Sequence, residues 1–414
     1  MKRCAVGFFG ILGAGNIGND AQLESLLAYV RRAHPEAAID AMCSGPDQVR
    51  ARYGIDAIPL RWQQRYERRT WRGRSTQGTA ATARNPRVKN LSLLAVGMFA
   101  DAFRITRWVR RHDVVIVPGA GVLESSLLLR PWGTPYVLFI LCLAGKAFRT
   151  KVALVAVGAN VINQPLTRWL DVSAAKLAYY RSYRDEFSRE SMRAQGVDTS
   201  GDSVYADLAF GIPPLSDDPG DPDTVGIGLM AYYGTNDDRQ QAKELHEAYI
   251  GEMQLVVRWL ADNGRRVRLF VGETNGGDDD AISRIRSDLR AYRPDLPADW
   301  TLAPVTHTFD ELMAAMTPAS VILATRYHNV LCALKLAKPT ISIGYSAKHD
   351  VLMTELGLGE FCHPIKSIDA KTLIGLVEEL ESRKAELIPL VAERHQAKAD
   401  LLDRQFAELS AALF

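Results

Sequence analysis

Short apolar runs alternate with amphipathic stretches through most of the chain, a pattern that predicts parallel strands joined by crossover helices. Val6 to Leu12 reads as a first buried strand, and Asp20 to Arg32 as a helix with Leu23, Leu26, Leu27 and Val30 at helical spacing. Further strands are expected at Ala38 to Cys43, Val114 to Val117, Val152 to Val157, Leu177 to Arg181 and Val204 to Asp207. From Gly211 to Pro222 the prolines at 213, 214, 219 and 222 rule out a helix or a central strand, because proline lacks the ladder donor. That run is the expected interdomain linker. A second alternating set follows: strands at Thr224 to Leu229, Arg266 to Val271, Val321 to Ala324 and Thr340 to Ile343, and helices at Lys243 to Asp262 and Asp279 to Tyr292. The economical architecture is α/β, with two doubly wound, Rossmann-like domains facing each other across a cleft. The domains are expected at 1–211 and 224–368, and a helical tail, 369–414, is expected to pack back on the first domain.

Length and composition agree. At 414 residues the chain exceeds one ordinary core, and 47% apolar with 24% charged residues is typical of a soluble globular protein. No uninterrupted apolar run reaches the length of a spanning helix. The five cysteines are scattered without metal-ligand or redox spacing, so they read as reduced core residues of a cytoplasmic protein. A formal net charge of +2 argues against nucleic-acid binding. One local bias stands out: Arg61 to Lys89 carries nine Lys or Arg and a single acid, Glu67. It reads either as a solvated loop or as a peripheral contact with an anionic membrane surface or a lipid-diphosphate-linked substrate.

Four constellations carry candidate chemistry. Gly13-Ala14-Gly15-Asn16-Ile17-Gly18 is a G-x-G-x-x-G after a strand, with Asp40 22 residues beyond Gly18, so a dinucleotide fingerprint is one reading. Asn16, Asn19 and Asp20 crowd the helix start, where Asp20 could cap the helix and where an acid would oppose a pyrophosphate; a turn or a sugar contact is the other reading. Pro118-Gly119-Ala120-Gly121 offers a second close backbone approach, with Glu124 following. Tyr183-Arg184-Asp185 could present a guanidinium, the natural bidentate partner of carboxylate or phosphate, to the cleft. The strand Val321 to Ala324 runs into Thr325-Arg326-Tyr327-His328, expected as a turn before a helix at Asn329 to Leu336. The next strand runs into Gly344-Tyr345-Ser346-Ala347-Lys348. Cations and an imidazole beyond two neighbouring strands predict an anionic ligand. No His, Asp or Glu cluster has metal-ligand spacing.

These residues resemble the polysaccharide pyruvyl transferases along most of the chain. The match rests on four ordered blocks: Gly15 to Asp20, Val117 to Leu123, Tyr183 to Ser188 with Ala206 to Phe210, and Arg326-Tyr327-His328 with Tyr345 and Lys348. The resemblance implies a glycosyltransferase-B-like fold. It also implies transfer of a pyruvyl group from phosphoenolpyruvate, as co-substrate and without another cofactor, to a sugar of a polysaccharide or lipid-linked glycan as a cyclic ketal. It places Arg326, His328, Lys348, Arg184 and Tyr345 at the donor, with His328, Lys348 and Arg326 catalytic. Asn16, Asn19, Asp20, Gly119 and Gly121 fall on the acceptor side. Two departures are visible: Asn19 stands where the family has an acid, and Ala120 where it has a glycine. Two alternatives remain, a sugar-nucleotide glycosyltransferase on the same architecture and a catalytically silent glycan-binding partner of a polysaccharide assembly complex.

Overall fold

Alternation of strand and helix produces two parallel sheets in a computed structural model that describes residues 3–62, 87–124, 131–215, 218–234, 238, 240–273 and 277–414. The first sheet comprises β1 (Ala5–Gly10), β2 (Ala38–Cys43), β3 (Asp56–Pro59), β4 (Val114–Pro118), β5 (Lys151–Val157), β6 (Tyr180–Tyr183) and β7 (Ser203–Val204). Its order is β3-β2-β1-β4-β5-β6-β7. The second comprises β8 (Asp221–Leu229), β9 (Arg266–Val271), β10 (Thr301–Leu302), β11 (Ala319–Ala324), β12 (Thr340–Gly344) and β13 (Cys362–Pro364), in the order β10-β9-β8-β11-β12-β13. Both are doubly wound, as expected, and the central strands β4 and β11 are buried along their whole length because helices cover both faces.

Several boundaries move. The helix expected from Asp20 is α1 (Ile17–Ala33). The strand expected at Leu177 to Arg181 begins at Tyr180, because the preceding helix runs on to Leu177. The second sheet starts inside the proline-rich run: β8 includes Asp221 and Pro222, with proline tolerated at the exposed strand entrance. The short edge strands β3, β10 and β13 carry too little apolar pattern to be foreseen.

The remaining helices are α2 (Pro46–Tyr53), α3 (Arg87–Val109), α4 (Thr134–Phe148), α5 (Pro165–Leu177), α6 (Glu186–Ala194), α7 (Ala242–Asp262), α8 (Asp278–Tyr292), α9 (Phe309–Met316), α10 (Tyr327–Lys335), α11 (Ala347–Glu355), α12 (Ala370–Ser382) and α13 (Lys384–Leu413). The last of these crosses back to the first sheet. Phe406 stacks on Tyr29 with ring centroids 4.6 Å apart, Gln405 donates to Ser182 Oγ at 2.8 Å, and Lys151 Nζ donates to the carbonyls of Ala412 and Leu413. Cys43, Cys142 and Cys332 are buried, and Cys4 and Cys362 are half-buried. No described helix is long and apolar enough to cross a membrane. Most of the basic stretch 61–89 lies outside the described residues.

Candidate active site

The carboxyl ends of the two sheets meet. Residues that follow β1, β4, β6 and β7 touch residues that follow β11 and β12, at the place where strand order reverses in each sheet.

On the first domain, α1 is capped by Asn16 rather than Asp20: Asn16 Oδ1 accepts from the Asn19 amide at 3.1 Å. Asn19 Nδ2 donates to Ile11 O at 3.2 Å, and Asp20 Oδ1 accepts from Gly13 N at 2.6 Å. Burial raises the Asp20 pKa, opposed by that amide and by Arg52. All three polar side chains therefore serve the turn. Gly18 serves the interface, since a Cβ there would overlap the imidazole of His328 from the other domain. Asp40 sits within β2, its carboxylate 2.9 Å from both Trp108 Nε1 and His112 Nε2, away from the strand end where a ribose acid belongs.

One helical turn past Gly18, Gln22 is fully buried and ties three segments together. Its Nε2 donates to both oxygens of Asp207 (2.9 and 2.8 Å) and its Oε1 accepts from Ala120 N at 2.6 Å, while Nε2 lies 3.4 Å from His328 Nε2. Ala120 has φ 59°, the left-handed region that explains the glycine usual there. A Cβ on Gly121 would run into the Glu124 carboxylate, and one on Gly158 into Glu124 and Arg184. The glycines clear room for these charges. Arg184 follows β6 and is 3% exposed, with Nη2 2.5 Å from Glu124 Oε1, Nη1 3.3 Å from Asp207 Oδ2 and Nε 3.4 Å from Asp185 Oδ2. Burial works against its charge, yet the surrounding anions hold its pKa well above the ordinary value. Asp185 also caps α6, accepting from Ser188 N at 2.6 Å.

On the second domain, His328 is the second residue of α10 and not part of a preceding turn; Arg326 is the N-cap position. Burial pushes the His328 pKa down to about 4, with Asp207 (3.8 Å away) opposing and Arg184 and Lys348 reinforcing, so the imidazole is neutral at pH 7. Lys348, on the first turn of α11, reaches across the cleft to Glu124 Oε2 at 3.1 Å and lies over the rings of Tyr327 (5.5 Å) and Tyr345 (5.3 Å). Burial would lower its pKa, but Glu124 raises it further. Burial likewise would raise the Glu124 pKa, but Lys348 and Arg184 outweigh it and hold it at about 2. The Arg184 guanidinium stacks 4.5 Å above the Tyr327 ring. His349, wedged between the carbonyls of Ser346 and Thr325, is driven to about 3 by burial and Lys348.

Arg326 turns away from this cluster. Its Nε and Nη2 grip both oxygens of Asp278 at 2.9 and 2.8 Å, and Nη1 lies 2.8 Å from Glu273. The structure thus gathers Arg184, His328, Lys348 and Tyr345 around one point and commits Arg326 to acids of its own domain. It adds three residues that the motifs had not singled out as site residues. Gln22 falls on the helix face of Gly18 by its i+4 spacing, Glu124 follows the second glycine block, and Asp207 lies inside the Ala206 to Phe210 block. Among the described residues no group of His, Cys, Asp and Glu could hold a metal. A cavity of about 590 Å³ lies elsewhere, between the far ends of α1 and α10, the linker and α13; its lining includes Lys335 and His395 but none of the cluster above.

Solved structures share the fold at low identity. The putative UDP-N-acetylglucosamine 2-epimerase of Listeria monocytogenes matches with TM-score 0.59 at 12% identity, covering 99% of this chain and 96% of its own. Anabaena HepE, solved in complex with UDP, matches with TM-score 0.57 at 10% identity, covering 99% and 100%. The UDP-GlcNAc 2-epimerase of Methanocaldococcus jannaschii matches with TM-score 0.56 at 11% identity, covering 90% and 91%. These likenesses establish a glycosyltransferase-B architecture and nothing finer. No curated protein matches the chain. The family model for polysaccharide pyruvyl transferase matches residues 16–347, from the cap of α1 to the first residue of α11, which takes in the residues of the cluster except Lys348. The chain belongs to the polysaccharide pyruvyl transferase family.

Proposed function

We propose that the protein transfers the pyruvyl group of phosphoenolpyruvate to two hydroxyls of one sugar in a polysaccharide or lipid-linked glycan, forming a pyruvate ketal and releasing phosphate. The observation that carries this reading is the pairing of Arg184 and Lys348, from opposite walls, on the single carboxylate of Glu124. Two buried cations that converge on one carboxylate from facing walls suit a small ligand bearing both phosphate and carboxylate.

The chemistry needs a proton at C3 of phosphoenolpyruvate and nucleophilic attack by a hydroxyl at C2. Phosphate leaves, and a second hydroxyl closes the ring. Of the two hydroxyl protons, one ends on the new methyl group and one on phosphate, so the reaction balances. His328 is the proton donor in this reading. It is neutral in the free site, and an arriving phosphate dianion beside it would raise its pKa and load the proton together with the substrate. Arg184 and Lys348 take phosphate and carboxylate in place of Glu124, whose released carboxylate then faces the acceptor side. The glycine turn supplies the acceptor contact through the Gly121 amide in this reading, because Asn16, Asn19 and Asp20 hold their own turn and the Gly119 and Ala120 amides donate to Val155 O and Gln22 Oε1.

The test is phosphate release from phosphoenolpyruvate across a panel of glycan and lipid-linked acceptors, preceded by thermal-shift titration with phosphoenolpyruvate, UDP-sugars and NADH. Stabilisation by phosphoenolpyruvate is expected; stabilisation by a UDP-sugar alone would install the glycosyltransferase reading instead. General acid catalysis contributes about 10²–10⁴-fold, so His328→Ala should lower turnover by at least about 100-fold. Near-normal turnover would remove His328 from the chemistry.

A further inference from the structure

The helices α3, α4 and α5 lie side by side over one face of the first sheet, and their outward surface is unlike the rest of the molecule. Phe99 is 79% exposed, Phe103 69%, Trp169 56% and Leu143 43%, although each sits on a regular helix beside a well-packed core. The three helices form one surface. Tyr136 of α4 donates to Met98 O of α3 at 2.9 Å, and the rings of Phe139 on α4 and Trp169 on α5 are 5.2 Å apart. At the other end of the helices the exposed side chains become cationic: Arg107 on α3 with the adjoining Arg110, Lys146 on α4 with the adjoining Arg149, and Lys176 on α5. Arg110 lies 4.8 Å over the Phe148 ring, joining the apolar and basic zones.

The acids settle what this surface fits. Among the described residues the three helices contain Asp101 and Asp171, and both are buried, Asp101 accepting from Trp62 N at 2.6 Å. Every exposed formal charge on the described part of these helices is therefore positive. An aromatic and aliphatic shelf bordered by cations with no exposed acid is complementary to hydrocarbon under anionic head groups. It is a poor match to a second copy, since an isologous contact would set cations against cations. Each of these helices returns antiparallel to its strands, so the cationic ends lie at the amino edge of the sheet, away from the cleft.

We propose that the α3–α4–α5 face seats the protein on an anionic bilayer surface, with Phe99, Phe103, Leu143 and Trp169 entering the head-group boundary. No described helix can span, so the contact is peripheral. The inference stands apart from the pyruvyl-transfer reading, because it needs no substrate.

The experiment is co-sedimentation of the full chain with phosphatidylcholine vesicles, with and without one-third phosphatidylglycerol, at low and high salt. Partitioning onto anionic vesicles should exceed that onto neutral ones by at least about tenfold and fall with salt, since each cation near the surface contributes about fivefold. Phe99→Ser with Phe103→Ser should reduce it about tenfold or more, as should Arg110→Glu with Lys146→Glu, each with an unchanged Tm. The control, Leu302→Ser with Val305→Ser, alters exposed apolar positions of the other domain and should change nothing. Equal sedimentation with neutral and anionic vesicles, or variants without effect, overturns the proposal. So does a lipid-free dimer in sedimentation velocity that Phe99→Ser with Phe103→Ser abolishes, which would assign the face to a second copy.

Discussion

Arg184 and Arg326 are both buried guanidiniums beyond the ends of strands, each ringed by carboxylates, yet their pairings differ in kind. Arg326 is gripped by Asp278 and Glu273 of its own domain, and Asp278 is wholly buried. Arg184 shares Glu124 with Lys348 of the opposite domain. Moving Glu124 therefore frees Lys348 and one arm of Arg184, which keeps Asp207 and Asp185 as counter-charges, whereas freeing Arg326 would strand the wholly buried Asp278, a loss of about 3–5 kcal/mol for a pair broken from one side. Arg326 and its two acids hold a loop. A carboxylate shared by cations from both walls marks where a ligand anion can enter.

The strongest test of that distinction exchanges each arginine for lysine, which keeps the charge and removes the planar fork. Arg184→Lys should weaken phosphoenolpyruvate binding, measured by calorimetry, by about 100-fold, the worth of one or two charged hydrogen bonds. Arg326→Lys should leave affinity within about threefold while lowering Tm, because the lost bonds are scaffolding. The reverse pattern would return Arg326 to the donor site.

A second test bears on how closely the two domains must approach. Gly18→Ala places a methyl on the His328 ring, and overpacking of this kind typically costs about 1–3 kcal/mol. Thermal denaturation should show that loss, with phosphate release falling about tenfold or more as His328 is displaced. A variant of native stability and turnover would show that the interface opens freely.

The smallest effect is a pH slope. His328 has its folded pKa lowered to about 4, below the ordinary value near 6.5, so between these values the unfolded chain binds the extra proton. Its contribution favours the folded state fully above pH 6.5 and is lost as pH falls towards 4, by up to about 3 kcal/mol. Chemical denaturation of His328→Asn across that window should show a shallower decline than the unsubstituted protein. An unchanged slope would mean that His328 is solvated in the free enzyme.

How much of this could be read beforehand follows from the range of each interaction. Alternation of apolar runs with amphipathic stretches determined two doubly wound sheets, because strand and helix periods are local properties of the chain. Ordered motifs likewise placed Arg184, His328 and Lys348 beyond strand ends, where parallel sheets present ligands. Local pattern misjudged caps: Asn16 won over Asp20 because Asp20 turned back to Gly13. Partnership was decided by tertiary structure alone. Nothing in the sequence says that Glu124 meets Lys348, 224 positions away, that Gln22 bridges Asp207 to His328, or that Arg326 is held by Asp278. Burial then held His328 neutral, while Lys348 and Arg184 kept Glu124 ionised against it. Desolvation and the field of neighbouring charges depend on distances that exist only once the two domains close on each other.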